Sequence, residues 1–263
     1  MALAGIDGRP FVDLGALADD ATLDALHIEI TYALARLPTR YTGGSHRSLG
    51  ISPPGTTDER PDYGEVIASL DDTQFLLFAS LGDPENPIDE RDGHVFGEDG
   101  DVPLTLAQMR WLELAHDVYF PWKVYLDLTH TTGRWADKAE PAPFTREAML
   151  YFPRTVAFLE QLPFAQRGTV KLLGLMPGDD GTVHRDGDPA RQTHIDTFIT
   201  LCPGRPKRLF LWDEQTGARH EAPSRVYWFN DHDWHGVAAD PWFRYSLRVD
   251  GVFDPDFARS VRP

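Results

Sequence analysis

His184-Arg185-Asp186 sets an imidazole and a carboxylate at alternate positions, which on an extended segment project to one side. Joined by a second imidazole from far along the chain, they would present two neutral nitrogens and one carboxylate to one face of an octahedron. That is a donor set for iron(II), with three positions left open for other ligands. The pair alone says little, because a chain with ten histidines and many aspartates yields roughly one such pair by chance. His194-x-Asp196 is indeed a second one. Context separates them: the first follows the turn-rich LMPGDDGTV, whereas the second lies in HIDTFITL, which has the pattern of a core strand.

The third donor is assigned to His235, 51 residues after His184, at the start of a strand in WFNDHDWHGVAADP. His232 competes for the role. The apolar neighbours Trp234, Gly236 and Val237 favour a sheltered His235, while Asp231, His232 and Asp233 have the composition of a turn tip. Nine residues further on, Arg244-Tyr245-Ser246 puts Arg and Ser on one face of a strand, with Arg248 on the same face. A planar guanidinium there suits the distal carboxylate of a dicarboxylic co-substrate such as 2-oxoglutarate, with Arg244 as first choice and Arg248 as second. Each element alone has a bland structural explanation. Their order gives the chemical reading: His-x-Asp, about fifty residues to His, then nine to Arg-x-Ser.

These residues need a frame. Leu23, Leu26, Ile30, Ala33, Leu34 and Leu37 recur at helical spacing over 20–37. A polar loop follows over 41–63, and Gln74 to Ser80 is short and apolar enough for a strand. The stretch SLGDPENPIDERDGHVFGEDGDVP carries eight acidic residues among turn formers, a solvated loop or a mobile lid over 83–101. Thr105 with Gln108 is a capping box, predicting a helix to about Tyr119. PWKVYLDLT follows as a strand, then a helix after Thr145 that Pro153 ends while opening the next. Beyond Pro163 come TVKLLGL, HIDTFITL, KRLFLW, RVYWF and FRYSLRVDGVF, strands at jelly-roll spacing. The expected fold is α+β, mainly β: a double-stranded β-helix (jelly roll, cupin-like) over 145–263, with helical and loop elaboration over 1–144 packed on it as one structural domain.

Composition narrows the partners. A formal net charge of −16 repels phosphate backbones and anionic membranes, and no Lys/Arg run offers an exception. No segment reaches the roughly 18 apolar residues of a membrane span. The opening MALAGIDGRPFVDLG lacks the basic flank and apolar stretch of a signal peptide. A single cysteine, Cys202, excludes an intrachain disulfide and suits a reducing compartment, the cytoplasm by default.

FPRTVAFLEQLP, VKLLGLMPGDDGTVHRDG, HIDTFITL, VYWFNDHDWHGV and FRYSLRVDGVFDPDF together resemble the aspartyl/asparaginyl β-hydroxylase family of 2-oxoglutarate oxygenases over about the last 110 residues. The resemblance implies a double-stranded β-helix that uses Fe(II), 2-oxoglutarate and O2 to hydroxylate a C–H bond. It implies iron ligands at His184 and His235, a co-substrate contact at Arg244, and a further one at His194 on a strand beginning near Arg191. Mammalian-type members have Gly where this chain has Asp186. The carboxylate here gives the fuller triad and argues against halogenation, which needs that position free for chloride. The expected substrate is an amino acid or amino-acid-derived or peptidyl molecule, in a pocket shaped by loops before 145. Arg185, Arg191, Lys207 and Arg208 are candidates to meet its carboxylate. The alternatives are a cupin-like metal-binding protein or a cupin enzyme that needs no 2-oxoglutarate.

Overall fold

A computed structural model describes residues 3–37, 42–43, 51–56, 61–91, 93–96, 102, 104–120, 123–130 and 135–262. Eleven strands are named among them: β1 (Phe11–Asp13), β2 (Thr42–Gly43), β3 (Lys123–Asp127), β4 (Phe164–Leu175), β5 (Gly181–His184), β6 (Phe198–Leu201), β7 (Leu209–Trp212), β8 (Arg219–Glu221), β9 (Val226–Phe229), β10 (His235–Val237) and β11 (Arg244–Phe253). They form two antiparallel sheets: a major one ordered β1-β9-β6-β11-β4-β3-β2 and a minor one ordered β5-β10-β7-β8. This is the expected jelly-roll core. The first half of the chain adds helices and also lends β1, β2 and β3 to the major sheet.

Alternation along β11 gives that sheet two unlike faces. On one, Leu247 pairs with Leu172 and Leu201, and Val249 with Val170 and Ile199. All six side chains are buried, each contributing about 2 kcal/mol. Against this face lies α1 (Asp20–Leu34), with His27 Nδ1 2.9 Å from the Tyr245 hydroxyl, and α5 (Arg146–Tyr151) and α6 (Pro153–Leu159) pack on α1 and on each other. Glu29 of α1 caps α6, its carboxylate accepting from Arg154 N, Thr155 N and Thr155 Oγ at 2.7–2.9 Å. The other face is polar: Arg248 pairs with Lys171 and Thr200, and Asp250 with Phe198. Buried charge therefore faces the jelly-roll interior.

The remaining helices are α2 (Tyr63–Ser69), α3 (Asp72–Ser80), α4 (Leu106–His116) and α7 (Pro255–Val261). α3 corrects the strand expected over Gln74–Ser80. Asp71 and Gln74 form a complete capping box, and Phe75 and Phe78 are buried three apart while Leu76 and Leu77 face solvent. The box at Thr105 and Gln108 forms, but the helix stops at His116, where Asp117 turns left-handed at φ 56°. Pro153 does end α5 and begin α6. Thr145, without a reciprocal Glu or Gln, still caps α5 through Ala148 N. HIDTFITL is extended strand only from Phe198. Of the loop over 41–63, residues 41, 44–50 and 57–60 lie outside the described residues, as do 92 and 97–101 of the acidic stretch. Among the described residues no helix is long and apolar enough to cross a membrane.

Candidate metal centre

His184 ends β5 and His235 begins β10, and the two are direct cross-strand partners. Register alone thus brings their rings together, with centroids 4.3 Å apart. Each imidazole is tied to the carbonyl two residues earlier: His184 Nδ1 lies 2.7 Å from Thr182 O, and His235 Nδ1 lies 2.9 Å from Asp233 O. Only an Nδ1–H can donate there, which leaves both Nε2 lone pairs for a metal. Asp186 Oδ1 meets them at 3.6 Å from His184 Nε2 and 3.9 Å from His235 Nε2. Its backbone is fixed by Asp186 N donating to Asp231 O at 2.9 Å. One donor atom from each residue lies within 4.8 Å of the others.

The electrostatics suit a cation. Burial, reinforced by the neighbouring His235, pushes the His184 pKa down to about 4, and burial does the same for His235. Both rings are therefore neutral ligands at physiological pH. Asp186 is the most exposed of the three, so the site opens at its carboxylate. The protein packed around it still desolvates it, and with Asp231 nearby its pKa rises. Two neutral imidazoles and a carboxylate short of positive charge fit a divalent ion.

Behind the triad runs a buried ionic network. Arg248 Nη2 meets Asp231 Oδ2 at 2.8 Å and Nε meets Asp250 Oδ1 at 2.9 Å, while Nη1 lies 4.0 Å from Asp186 Oδ2. Lys138 Nζ bridges Asp196 at 2.7 Å and Asp231 at 3.3 Å. Burial alone would raise the Asp231 pKa, but Arg248 and Lys138 hold it well below the carboxylate range. The Arg248 guanidinium also lies 3.9 Å over the Phe198 ring, which touches Phe229, which in turn packs edge-on against His235. Arg248 thus braces the carboxylate and one imidazole together. Asp231, Asp250 and Lys138 were not singled out from sequence. Asp250 shares the alternation of Arg244, Ser246 and Arg248 and was findable; Asp231 and Lys138 gave no local signal. Asp231 and Asp233 do lie in a turn, but a buried one rather than an exposed tip, because both carboxylates take protein partners.

Arg244 and Ser246 share that interior face nearer the start of β11. Arg244 Nη2 donates to Asp179 O at 2.8 Å and Ala238 O at 2.5 Å, and Nε lies 3.4 Å from Asp240 Oδ2. Lys207 Nζ donates to Ser246 Oγ at 3.2 Å. His194 is not brought to the triad. Its side chain is 79% exposed beside Asp196, and Arg191 is 88% exposed. These two lie on no strand, because Pro189 opens a short 3-10 turn that Asp188 caps. His232 packs flat on Gly187, where a Cβ would come within 2.5 Å of its ring, and stands outside the donor cluster. Arg185 stacks 4.5 Å over Trp234, and Arg208 pairs with Asp240 at 3.2 Å.

No family model matches the chain, and no curated protein does. Solved structures that resemble it include a 2OG-Fe(II) oxygenase-family oxidoreductase from Burkholderia pseudomallei (14% identity, TM-score 0.33, covering 50% of this chain and 70% of that one). A Pseudomonas putida prolyl-4-hydroxylase matches at 15% identity and TM-score 0.25, over 37% of this chain and 58% of its own length. A cupin domain from Bordetella pertussis matches at 11% identity and TM-score 0.24, over 32% and 81%. The functional reading rests on the chain's own side chains.

Proposed function

We propose that the chain is an Fe(II)- and 2-oxoglutarate-dependent dioxygenase of the aspartyl/asparaginyl β-hydroxylase type. It hydroxylates an unactivated C–H of an amino acid or of an amino-acid-derived or peptidyl substrate. The observation that carries the reading is the convergence of two neutral imidazoles and one carboxylate at one end of an interior whose other end holds Arg244 and Ser246. Iron(II) held by His184, Asp186 and His235 would supply the redox chemistry with O2. The overall reaction consumes 2-oxoglutarate, O2 and R–H and yields succinate, CO2 and R–OH.

The chain's own part is placement. Thr182 O and Asp233 O hold the imidazoles in the tautomer that offers Nε2. Arg248, 4.0 Å away, opposes the rise in the Asp186 pKa and orients the carboxylate. Arg244 and Ser246 receive the co-substrate's distal carboxylate, since Arg248 is committed to Asp231 and Asp250. The Pro153-Arg154-Thr155 segment quoted for the family resemblance starts α6, where Glu29 caps it.

Anaerobically purified protein given iron(II), labelled 2-oxoglutarate and air should form labelled succinate above a metal-free blank. The anaerobic ternary mixture should show a visible charge-transfer band. Metal binding with neither signal would instead indicate a cupin-like metal protein.

A further inference from the structure

The interior end that holds Arg244 contains two cations with unequal prospects. Arg244 is already offset by Asp240 at 3.4 Å, and its Nη2 is spent on two carbonyls. Its Nε and Nη1 are buried without a hydrogen-bond partner, and with Nε facing Asp240, Nη1 is the nitrogen left to give a directional hydrogen bond to a ligand. Lys207 differs. It sits just ahead of β7, 8% exposed, and reaches across to the major sheet to donate to Ser246 Oγ at 3.2 Å and Leu173 O at 3.5 Å. Among the described residues it has no carboxylate partner; the groups that act on it electrostatically are the Cys202 thiol, which burial keeps protonated, and Arg244, a cation. A buried ammonium without a counter-ion costs several kcal/mol. Holding one against a hydroxyl beside an unpaired guanidinium nitrogen makes a receptor for an anion.

Position along β11 favours Lys207 further. Arg248, whose Nη1 is 4.0 Å from Asp186, marks the level of the metal donors. Ser246 lies roughly 7 Å along the strand from it and Arg244 roughly 13 Å. A five-carbon diacid is only about 5 Å from end to end. Held at the imidazoles by its keto-acid end, it meets the Ser246 level first.

We infer that Lys207 supplies the ionic contact to the co-substrate's distal carboxylate. Ser246 Oγ shares that contact, and Arg244, partly offset by the Asp240 it shares with Arg208, adds mainly direction. This rests on the 2-oxoglutarate reading, and the test separates the two. Anaerobic iron(II)-loaded protein is titrated with 2-oxoglutarate and with 2-oxopentanoate, which keeps the keto-acid head and chain length but lacks the distal carboxylate. Binding is followed by the charge-transfer band and by calorimetry. Wild type should prefer the diacid. Lys207→Met should weaken 2-oxoglutarate roughly 30- to 100-fold, as expected for a lost charged hydrogen bond, and leave 2-oxopentanoate nearly unchanged.

If the variant keeps the wild-type preference, or weakens both ligands equally, the assignment of Lys207 is overturned while the 2-oxoglutarate reading stands. If wild type itself shows no preference for the diacid, that reading falls. Without ligand, Lys207→Met should melt no earlier than wild type, because it removes an uncompensated charge. Should it fail to fold, Lys207→Gln keeps a donor for Ser246 and serves in the same comparison.

Discussion

The two ends of the jelly-roll interior treat charge in opposite ways, though one strand, β11, lines both. At the histidine end, Arg248 and Lys138 are outnumbered by Asp186, Asp196, Asp231 and Asp250, and both cations have carboxylate partners. At the other end Asp240 is divided between Arg244 and Arg208, and Lys207 has no carboxylate partner among the described residues. One end is short of positive charge and the other of negative charge. A divalent metal and a dicarboxylate would correct both deficits at once, which is why the two ends make most sense as one site.

The largest effect that should break this comparison is at the metal donors. Asp186→Ala and His235→Ala should each lower iron(II) affinity by more than about 100-fold, since loss of even an outer partner costs 10- to 100-fold. Competition against a chelating dye measures it, and unchanged affinity in both variants would remove the metal from the account. Next comes the contrast between two interior cations on stability. Arg248→Met leaves the buried Asp250 without its cation and Asp231 with Lys138 alone, and should cost about 3–5 kcal/mol in denaturant unfolding. Lys207→Met strands nothing and should cost almost none. Equal losses would mean that the two ends do not differ as described.

The same asymmetry predicts a pH dependence. Burial, aided by Arg244, brings the Lys207 pKa down to about 8 in the free protein. The groups that face it are Arg244, with Asp240 behind, and Cys202, whose thiol burial keeps protonated. Lys207 is charged below about pH 8 and neutral above it. Affinity for 2-oxoglutarate should therefore be level below pH 8 and fall by up to tenfold per pH unit above it. The affinity for 2-oxopentanoate should not follow that curve. Parallel curves would place the titrating group elsewhere.

How much of this was legible without coordinates follows from the range of the interactions. The strands after Pro163 were readable because alternation is written locally, and the convergence of His184, Asp186 and His235 followed the order His-x-Asp, then His at the start of a later strand. So was the face shared by Arg244, Ser246 and Arg248. The division of labour among those cations was not. It depends on Asp231, Asp240 and Lys138, which reach the interior from turns and loops with no period of their own. The strand expected at Gln74 failed for a different reason: a short apolar run has no period until its cap is counted, and Asp71 with Gln74 decides for helix. HIDTFITL was assigned too much strand because Asp196 leaves the sheet to pair with Lys138.

The smallest expected effect lies outside the interior and sharpens the comparison as its control. Glu29 on α1 satisfies the first amides of α6 and the Thr155 hydroxyl, joining α6 to the helix that lies against the apolar face of the major sheet. Glu29→Ala removes a carboxylate cap and should cost about 1–2 kcal/mol. Glu29→Gln, which retains acceptor oxygen, should recover part of that. Neither change alters charge within the interior, so iron(II) affinity and the preference for 2-oxoglutarate over 2-oxopentanoate should stay at wild-type values. A shift in either would show that the helical layer sets the position of β11, and through it the spacing between the two ends of the site.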